Sequence, residues 1–265
     1  MKLKHLPTEP LEQTPHIVAF LDFLGTQEKM NAPDESSRFL EKINSIYHIA
    51  DSLIDKDQDS MQLKIKIFSD NILVACEITD SQNSEDWIGA FLQVKLFCLS
   101  FQACSALLGL WVRGGISCGN MFISEKFVYG HALTKAYKIE SESAIYPRIV
   151  IDKQIFHKMN LDYQSLSLID NYKSIDIDGD GEIYLLPFGQ LFTVATRMNM
   201  STALQIIKQD ILEEYQKLTI AKHFKILPKY YWLASKFNDF CKEIQKEDCQ
   251  ILINGNGELV SEDQK

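Results

Sequence analysis

Residues 16 to 27, HIVAFLDFLGTQ, set an aspartate near the end of an almost unbroken apolar run and a glycine three residues after it. An apolar run closed by glycine reads as a buried strand over residues 16 to 24. An ionised carboxylate at the end of such a strand costs roughly several kcal/mol unless a counter-charge or hydrogen-bond donors meet it. Whatever fold this chain adopts must therefore bring something cationic to Asp22.

Two further strand-like runs, MQLKIKIF and NILVACEI, meet at Ser69-Asp70 and predict a hairpin with a second carboxylate at its tip. If that hairpin neighbours the first strand, Asp22 and Asp70 share one sheet edge. Like charges that close repel and raise one pKa, unless a divalent cation such as Mg²⁺ or Mn²⁺ sits between them. The turn after Asp22 adds backbone N–H groups, with Gly25 allowing a phosphate to approach closely. Aspartates, metal and amides together point to a nucleoside triphosphate. The same residues also suit a plainer reading, in which Asp22 is a turn or N-cap residue and Asp70-Asn71 is only a hairpin tip.

Elsewhere the periodicity predicts an amphipathic helix over residues 36 to 54 and a long helix from Trp87. The stretch from residue 87 to 111 is apolar enough to suggest a membrane span, but Gln93, Lys95, Ser100, Gln102 and Ser105 interrupt it, so a core helix is expected. LWVRGGISCGNMFIS reads as a strand turning at Gly119-Asn120 into another, followed by a helix near residues 131 to 143 and a strand at YPRIVI. A hairpin around DIDGDGEIYLLPF, helices over 200 to 217 and 228 to 244, and a last turn at GNG near residue 255 complete the chain. This order describes an α+β, ferredoxin-like sandwich with helices covering one sheet face.

With 265 residues, 46% of them hydrophobic, the chain can bury a sizeable core. Its net charge of −9 argues against a protein that grips nucleic acid through its whole surface, though a local cationic pocket is allowed. Six cysteines with no C-x-x-C pair and no secretory leader suit reduced thiols in a cytoplasm. No membrane attachment is expected.

The motifs and their order resemble the class III nucleotidyl cyclase family. DFLG is similar to that family's strand ending Asp-x-x-Gly, KIKIFSDNILVA to its metal-binding hairpin, VRGGISCGN to its R-x-G-I-x-x-G pattern, and VYGHALTKAYKIES to the following glycine-to-helix segment. The resemblance spans roughly residues 16 to 150. RGGIS, YGHAL, YPRIVI, DGDGEIYLLPF and YYWLASKFN look most like the bacterial pyrimidine cyclases of anti-phage Pycsar systems.

The resemblance implies a nucleotide cyclase catalytic domain over 16 to 190 with a mainly antiparallel sheet, a polar leader over 1 to 15, and a helical extension over 191 to 265 packed on the same domain. It implies conversion of UTP, or CTP, to a 3′,5′-cyclic monophosphate and pyrophosphate with two Mn²⁺ or Mg²⁺ ions. Asp22 and Asp70 map onto the metal ligands, with the carbonyl of Phe23 as a further ligand, and the amides of Leu24 and Gly25 face the β- and γ-phosphates. A head-to-tail homodimer is implied, with base-reading and transition-state residues crossing the interface. A separate effector that responds to the cyclic nucleotide is implied as partner.

This chain departs from the purine cyclases at several of those positions. Lys66 keeps their base-reading lysine, but Phe127 stands where they have an aspartate, Thr134 where they have a ribose-orienting asparagine, and Lys138 where they have a transition-state arginine. Lys138 keeps a cation and loses the planar fork. The pocket is then either reshaped for a smaller pyrimidine or decayed into a silent binding module; a purine cyclase with an altered pocket is the third option. Lys66 and Lys138 also read as ordinary solvated residues, Arg113 as a brace or a phosphate contact, and His131 as a structural helix-start residue. DIDGDG imitates a calcium loop through Asp176, Asp178, Asp180 and Gly181, but Pro187 takes the place of the bidentate glutamate, so a hairpin turn is expected.

Overall fold

The computed structural model describes residues 11–30, 33–53, 63–162, 164–165, 174–195, 198–254 and 258–260. Strand β1 (Thr14–Phe23) is followed by a short helix α1 (Thr26–Met30) and by α2 (Pro33–Leu53). The hairpin β2 (Leu63–Phe68) and β3 (Asn71–Glu77) leads to α3 (Ser84–Leu107), then β4 (Val112–Ile123), β5 (Val128–Gly130), α4 (His131–Glu142), β6 (Ile149–Ile151) and α5 (Lys153–Met159). A second hairpin, β7 (Ile175–Ile177) and β8 (Ile183–Leu185), precedes α6 (Leu191–Val194), α7 (Met200–Ile220) and α8 (Leu227–Glu243). A single 3₁₀ turn and the two-residue strands β9 (Leu252–Ile253) and β10 (Leu259–Val260) follow.

The main sheet runs β2-β3-β1-β4-β6-β8-β7, with β5 paired to β4. Every pairing is antiparallel except β4 with β6, which α4 joins as a crossover. β1 is central because both its faces are apolar. Ile17, Ala19, Leu21 and Phe23 point into a core shared with Phe39 and Ile46 of α2 and Phe91, Phe97 and Phe101 of α3. Val18 and Phe20 point the other way, against Ala132 and Ala136 of α4. Helices thus cover both faces of the sheet, not the one face expected from element order.

Of the RGGIS glycines, Gly115 explains how α4 comes so close and Gly114 how β4 lies against β1. A Cβ built on Gly115 would lie 2.4 Å from the Ala136 carbonyl oxygen and 2.7 Å from Ile139 Cβ, and one on Gly114 would lie 2.6 Å from the Phe20 oxygen of β1. Bare backbone lets strand and helix pack at a separation no side chain would permit.

α3 is long and apolar enough to cross a membrane by length and composition, yet most of it is buried against the sheet and α2. It begins at Ser84, three residues before Trp87, because the Asn83 side chain accepts from the Glu85 amide at 3.1 Å and caps it. β4 does not turn at Gly119-Asn120. Those residues pair in register with His16 and Pro15 of β1, and the ladder overrides the local turn preference. The reversal comes at Ser124 to Phe127, where the Ser124 amide donates to the Phe127 carbonyl at 3.0 Å.

DIDGDG is a hairpin turn whose acids are already used. Arg148, fully buried, bonds Asp178 and Asp180, and the Trp232 ring N–H donates to Asp178 at 2.7 Å. The last hairpin pairs β9 with β10; residues 255–257, the expected GNG turn, lie outside the described residues. A second core joins Trp111, Tyr184 and Phe188 to Leu204, Ile207 and Ile211 of α7 and Leu233 and Phe237 of α8. That core ties the C-terminal helices to the sheet.

Candidate functional site

β1 ends at a cleft of about 320 Å³. Its walls carry Asp22, Phe23, Leu24, Gly25 and Thr26 from the end of β1 and the turn after it, together with Asp70 from the first hairpin. The register explains the convergence. Asp22 pairs with Asn71 on one side and with Arg113 on the other, so the residue before Asn71 arrives beside it.

Asp70 occupies a two-residue turn between the paired residues Phe68 and Asn71. Ser69, its other member, is left-handed at φ 58°, a conformation that costs a non-glycine residue roughly 1–2 kcal/mol. The Tyr47 hydroxyl donates to the Ser69 carbonyl at 2.5 Å and anchors this turn to α2. Burial, with the charge of Asp70 adding to it, pushes the Tyr47 phenol up to about 12, so it stays a donor.

The cation that meets Asp22 in the folded chain is Arg113. Its Nε and Nη2 both donate to Asp22 Oδ2, at 3.0 and 2.8 Å, and Nη2 also lies 2.7 Å from Glu140 Oε1 of α4. A metal is therefore not required to answer the buried charge, and the bracing reading of Arg113 is the one the geometry follows. Burial pushes the Asp22 carboxyl above its ordinary range and Asp70 adds to that, while Arg113 pulls it back. The Glu140 carboxyl is likewise raised by burial, opposed by Arg113.

Arg113 grips only Oδ2, which leaves Asp22 Oδ1 outside its fork. The Phe23 carbonyl accepts from Thr26 Oγ1 at 2.9 Å and keeps a second lone pair. With Asp70 these are hard oxygen donors of the type Mg²⁺ and Mn²⁺ take alongside phosphate oxygens, so the residues present fit such an ion. Among the described residues no group of three or more His, Cys, Asp or Glu side chains forms a closed metal site. Any ion here must then draw the rest of its coordination from ligand or water.

The expected phosphate cradle is only partly available. The Leu24 amide donates to the Trp111 carbonyl at 2.8 Å, and the Leu24 side chain is buried in the second core. Its N–H is spent inside the fold, because the chain must stay attached to β4 as it leaves β1. Gly25 then turns with φ 77°, left-handed, which explains the glycine.

The remaining expected residues do not line this cleft. Lys66 of β2 donates to the Glu125 carbonyl at 3.0 Å, which brings it to the β4–β5 turn that carries Phe127. Phe127 is half-exposed and packs on Phe122. Thr134 and Lys138 share the exposed face of α4, where Thr134 donates to the Gly130 carbonyl at 3.3 Å and Lys138 lies 3.8 Å from Glu142. They point away from the face formed by Ala132, Ala136 and Glu140.

Glu140, Thr26, Ile226 and Lys229 were not anticipated. Glu140 left a trace in the sequence, since an acid continuing the four-residue spacing of Ala132 and Ala136 sits on the helix face meant for burial. Ile226 and Lys229 come from the start of α8 and left none, because nothing local tells how a helix two hundred residues downstream will dock.

No family profile matches the chain, and no curated protein matches it. Among solved structures it is similar to the adenylyl cyclase CyaB from P. aeruginosa, at 18% identity and a TM-score of 0.43 over 67% of this chain and 95% of that one. It is similar also to the guanylyl cyclase Cya2, at 15% identity and 0.41 over 66% and 92%. A class III adenylyl cyclase-like ATP-binding protein from Pseudomonas aeruginosa is matched at 10% identity and 0.42, over 80% of this chain and 47% of that chain.

Proposed function

We propose that this chain is a nucleotide cyclase that closes UTP, or CTP, to the 3′,5′-cyclic monophosphate and releases pyrophosphate. The observation that carries the reading is the meeting of Asp22 and Asp70 in one cleft beside the Gly25 turn. In the reaction the ribose 3′-oxygen bonds to the α-phosphorus, the bond to the pyrophosphate oxygen breaks, and the hydroxyl proton passes to water.

Asp22 Oδ1, Asp70 and the Phe23 carbonyl would hold two divalent ions, Mn²⁺ or Mg²⁺, which supply charge neutralisation of the phosphates and acidify the attacking hydroxyl. Arg113, with Glu140 behind it, fixes the Asp22 carboxylate so that one oxygen faces the cleft. Gly25 leaves room for the outer phosphates. Lys66 and Phe127 would read the base, Thr134 would orient the ribose, and Lys138 would offset charge as the leaving group departs.

These last four lie away from the aspartates within one subunit, which supports a homodimer in which each site is completed by its partner. Exposed aromatic rings at Phe68, Phe127, Tyr129 and Tyr137 surround the same region and favour its burial. Phe127 in place of a carboxylate supports a pyrimidine, and the likeness of RGGIS and YGHAL to the Pycsar cyclases supports a cytoplasmic second-messenger role in anti-phage defence, read out by a separate effector.

One observation favours a second reading, a silent nucleotide-binding module: Arg113 already neutralises Asp22, so the acid has a structural reason to persist. Incubating the full chain with each of the four ribonucleoside triphosphates and Mn²⁺, then identifying products by mass, separates the two. Cyclic UMP or cyclic CMP from the parent chain, lost in Asp70→Ala, is the expected result. Absence of any cyclic product would leave the silent module standing, and cyclic AMP or GMP would make the chain a purine enzyme.

A further inference from the structure

Among the described residues two cations line the cleft. Arg113 is bound to Asp22 and Glu140, and those two acids more than cancel it. The other is Lys229, in the first turn of α8, which reaches the cleft together with Ile226. It is half-buried, and it is close enough to Glu140 to draw that carboxyl's pKa downward. Its backbone N–H donates a hydrogen bond to the Ile226 carbonyl at 2.9 Å, and α8 itself is held by Leu233 and Phe237 in the second core. The position of Lys229 is thus set by the second core, into which Leu24 of the β1 turn also packs.

We propose that Lys229 is a phosphate-binding residue of this cleft, so that the segment after residue 195 completes the triphosphate site of its own subunit. The inference rests on the cyclase reading for its substrate but on the cleft alone for its geometry. Divalent ions held by Asp22 and Asp70 would offset those acids and part of a triphosphate's charge. The outer phosphates would still be in excess, and a half-buried ammonium facing them contributes a charge-assisted hydrogen bond. Lysine suits this task as a mobile point charge with three donors, needing no fixed fork. The C-terminal helices would then act both as a cover for the sheet and as one wall of the site.

The test uses the full chain with Mn²⁺ and inorganic tripolyphosphate, a probe that needs no turnover, followed by calorimetry. Lys229→Ala should weaken tripolyphosphate binding about ten- to a hundred-fold, while Lys229→Arg stays within a few-fold of the parent. Lys225→Ala, an exposed lysine four residues away, should change nothing. On a nucleotide substrate Lys229→Ala should raise KM by a similar factor with a smaller change in kcat. A parent chain that binds the probe but cyclises no nucleotide, with Lys229→Ala weaker, upholds the inference and removes the cyclase reading. A cyclising chain whose Lys229→Ala variant keeps both its KM and its probe affinity overturns the inference and spares the reading. A folded parent chain with no affinity for tripolyphosphate also overturns it.

Discussion

Replacing Arg113 by methionine tests what holds the end of β1 together. The substitution keeps the apolar stem and removes the guanidinium from two carboxylates that lie 2.8 and 2.7 Å away, with side-chain exposures of 15% and 4%. Deleting one partner of a buried ion pair costs about 3–5 kcal/mol, because the other charge is left buried and unanswered. Arg113 itself is 25% exposed, so the lower end, about 3 kcal/mol, is expected. The pH dependence sharpens the expectation. Burial raises both carboxyls in the folded chain, and losing Arg113 raises them further. A carboxyl raised on folding contributes stability that is full below its unfolded value, about 4, and is lost as pH rises through the folded value. The penalty of Arg113→Met should therefore be smaller near a pH of about 5 than near about 8. Urea unfolding at both pH values, with the slope checked for constancy, reads it. Adding Glu140→Leu should recover about half of the loss at high pH, since one stranded charge is gone. A loss below about 1 kcal/mol at high pH, or the same loss at both, would refute the account of Arg113 as the counter-ion of this edge.

Three other outcomes are expected. Mixing an Asp70→Ala chain with a Lys138→Ala chain should restore part of the turnover that each lacks, because one shared site in the mixed dimer is intact; silent but proven mixed dimers count against the shared interface. Gly115→Ala should destabilise by about 1–3 kcal/mol through the 2.4 Å clash with the Ala136 carbonyl, whereas Gly179→Ala, with nothing within 4 Å, should be near neutral in the same thermal melt. Arg148 bonds Asp180 and, against some burial, holds its carboxyl below the usual range, so that stability is present above about pH 4 and lost as pH falls through the folded value. Asp180→Asn should flatten that acid limb, measured as unfolding free energy against pH; an unchanged limb would show that this ion pair is not the group titrating.

The strands and long helices were legible in the sequence because their patterns are local. β1 reads as buried from its own apolar run, the first hairpin from two runs meeting at Ser69-Asp70, and α2, α7 and α8 from their amphipathic spacing. Errors came where a long-range ladder or contact outweighs local preference. Gly119-Asn120 looks like a turn and is held straight by pairing with β1, and α5 went unforeseen although Asp152 caps it, because seven residues give too short a period to recognise.

By itself, then, the sequence determined that a carboxylate would lie at the end of a buried strand, that a second would sit on a hairpin tip, and that a cation must answer the first. Only the tertiary structure decided that the cation is Arg113, that Glu140 of α4 shares it, that the Leu24 amide is spent on Trp111, and that Lys229 lines the cleft. The physical reason is separation along the chain. Burial and turn chemistry follow from near neighbours, whereas the partner of a charge is set by strand register and helix docking, which depend on residues far apart and on energies summed over the whole core.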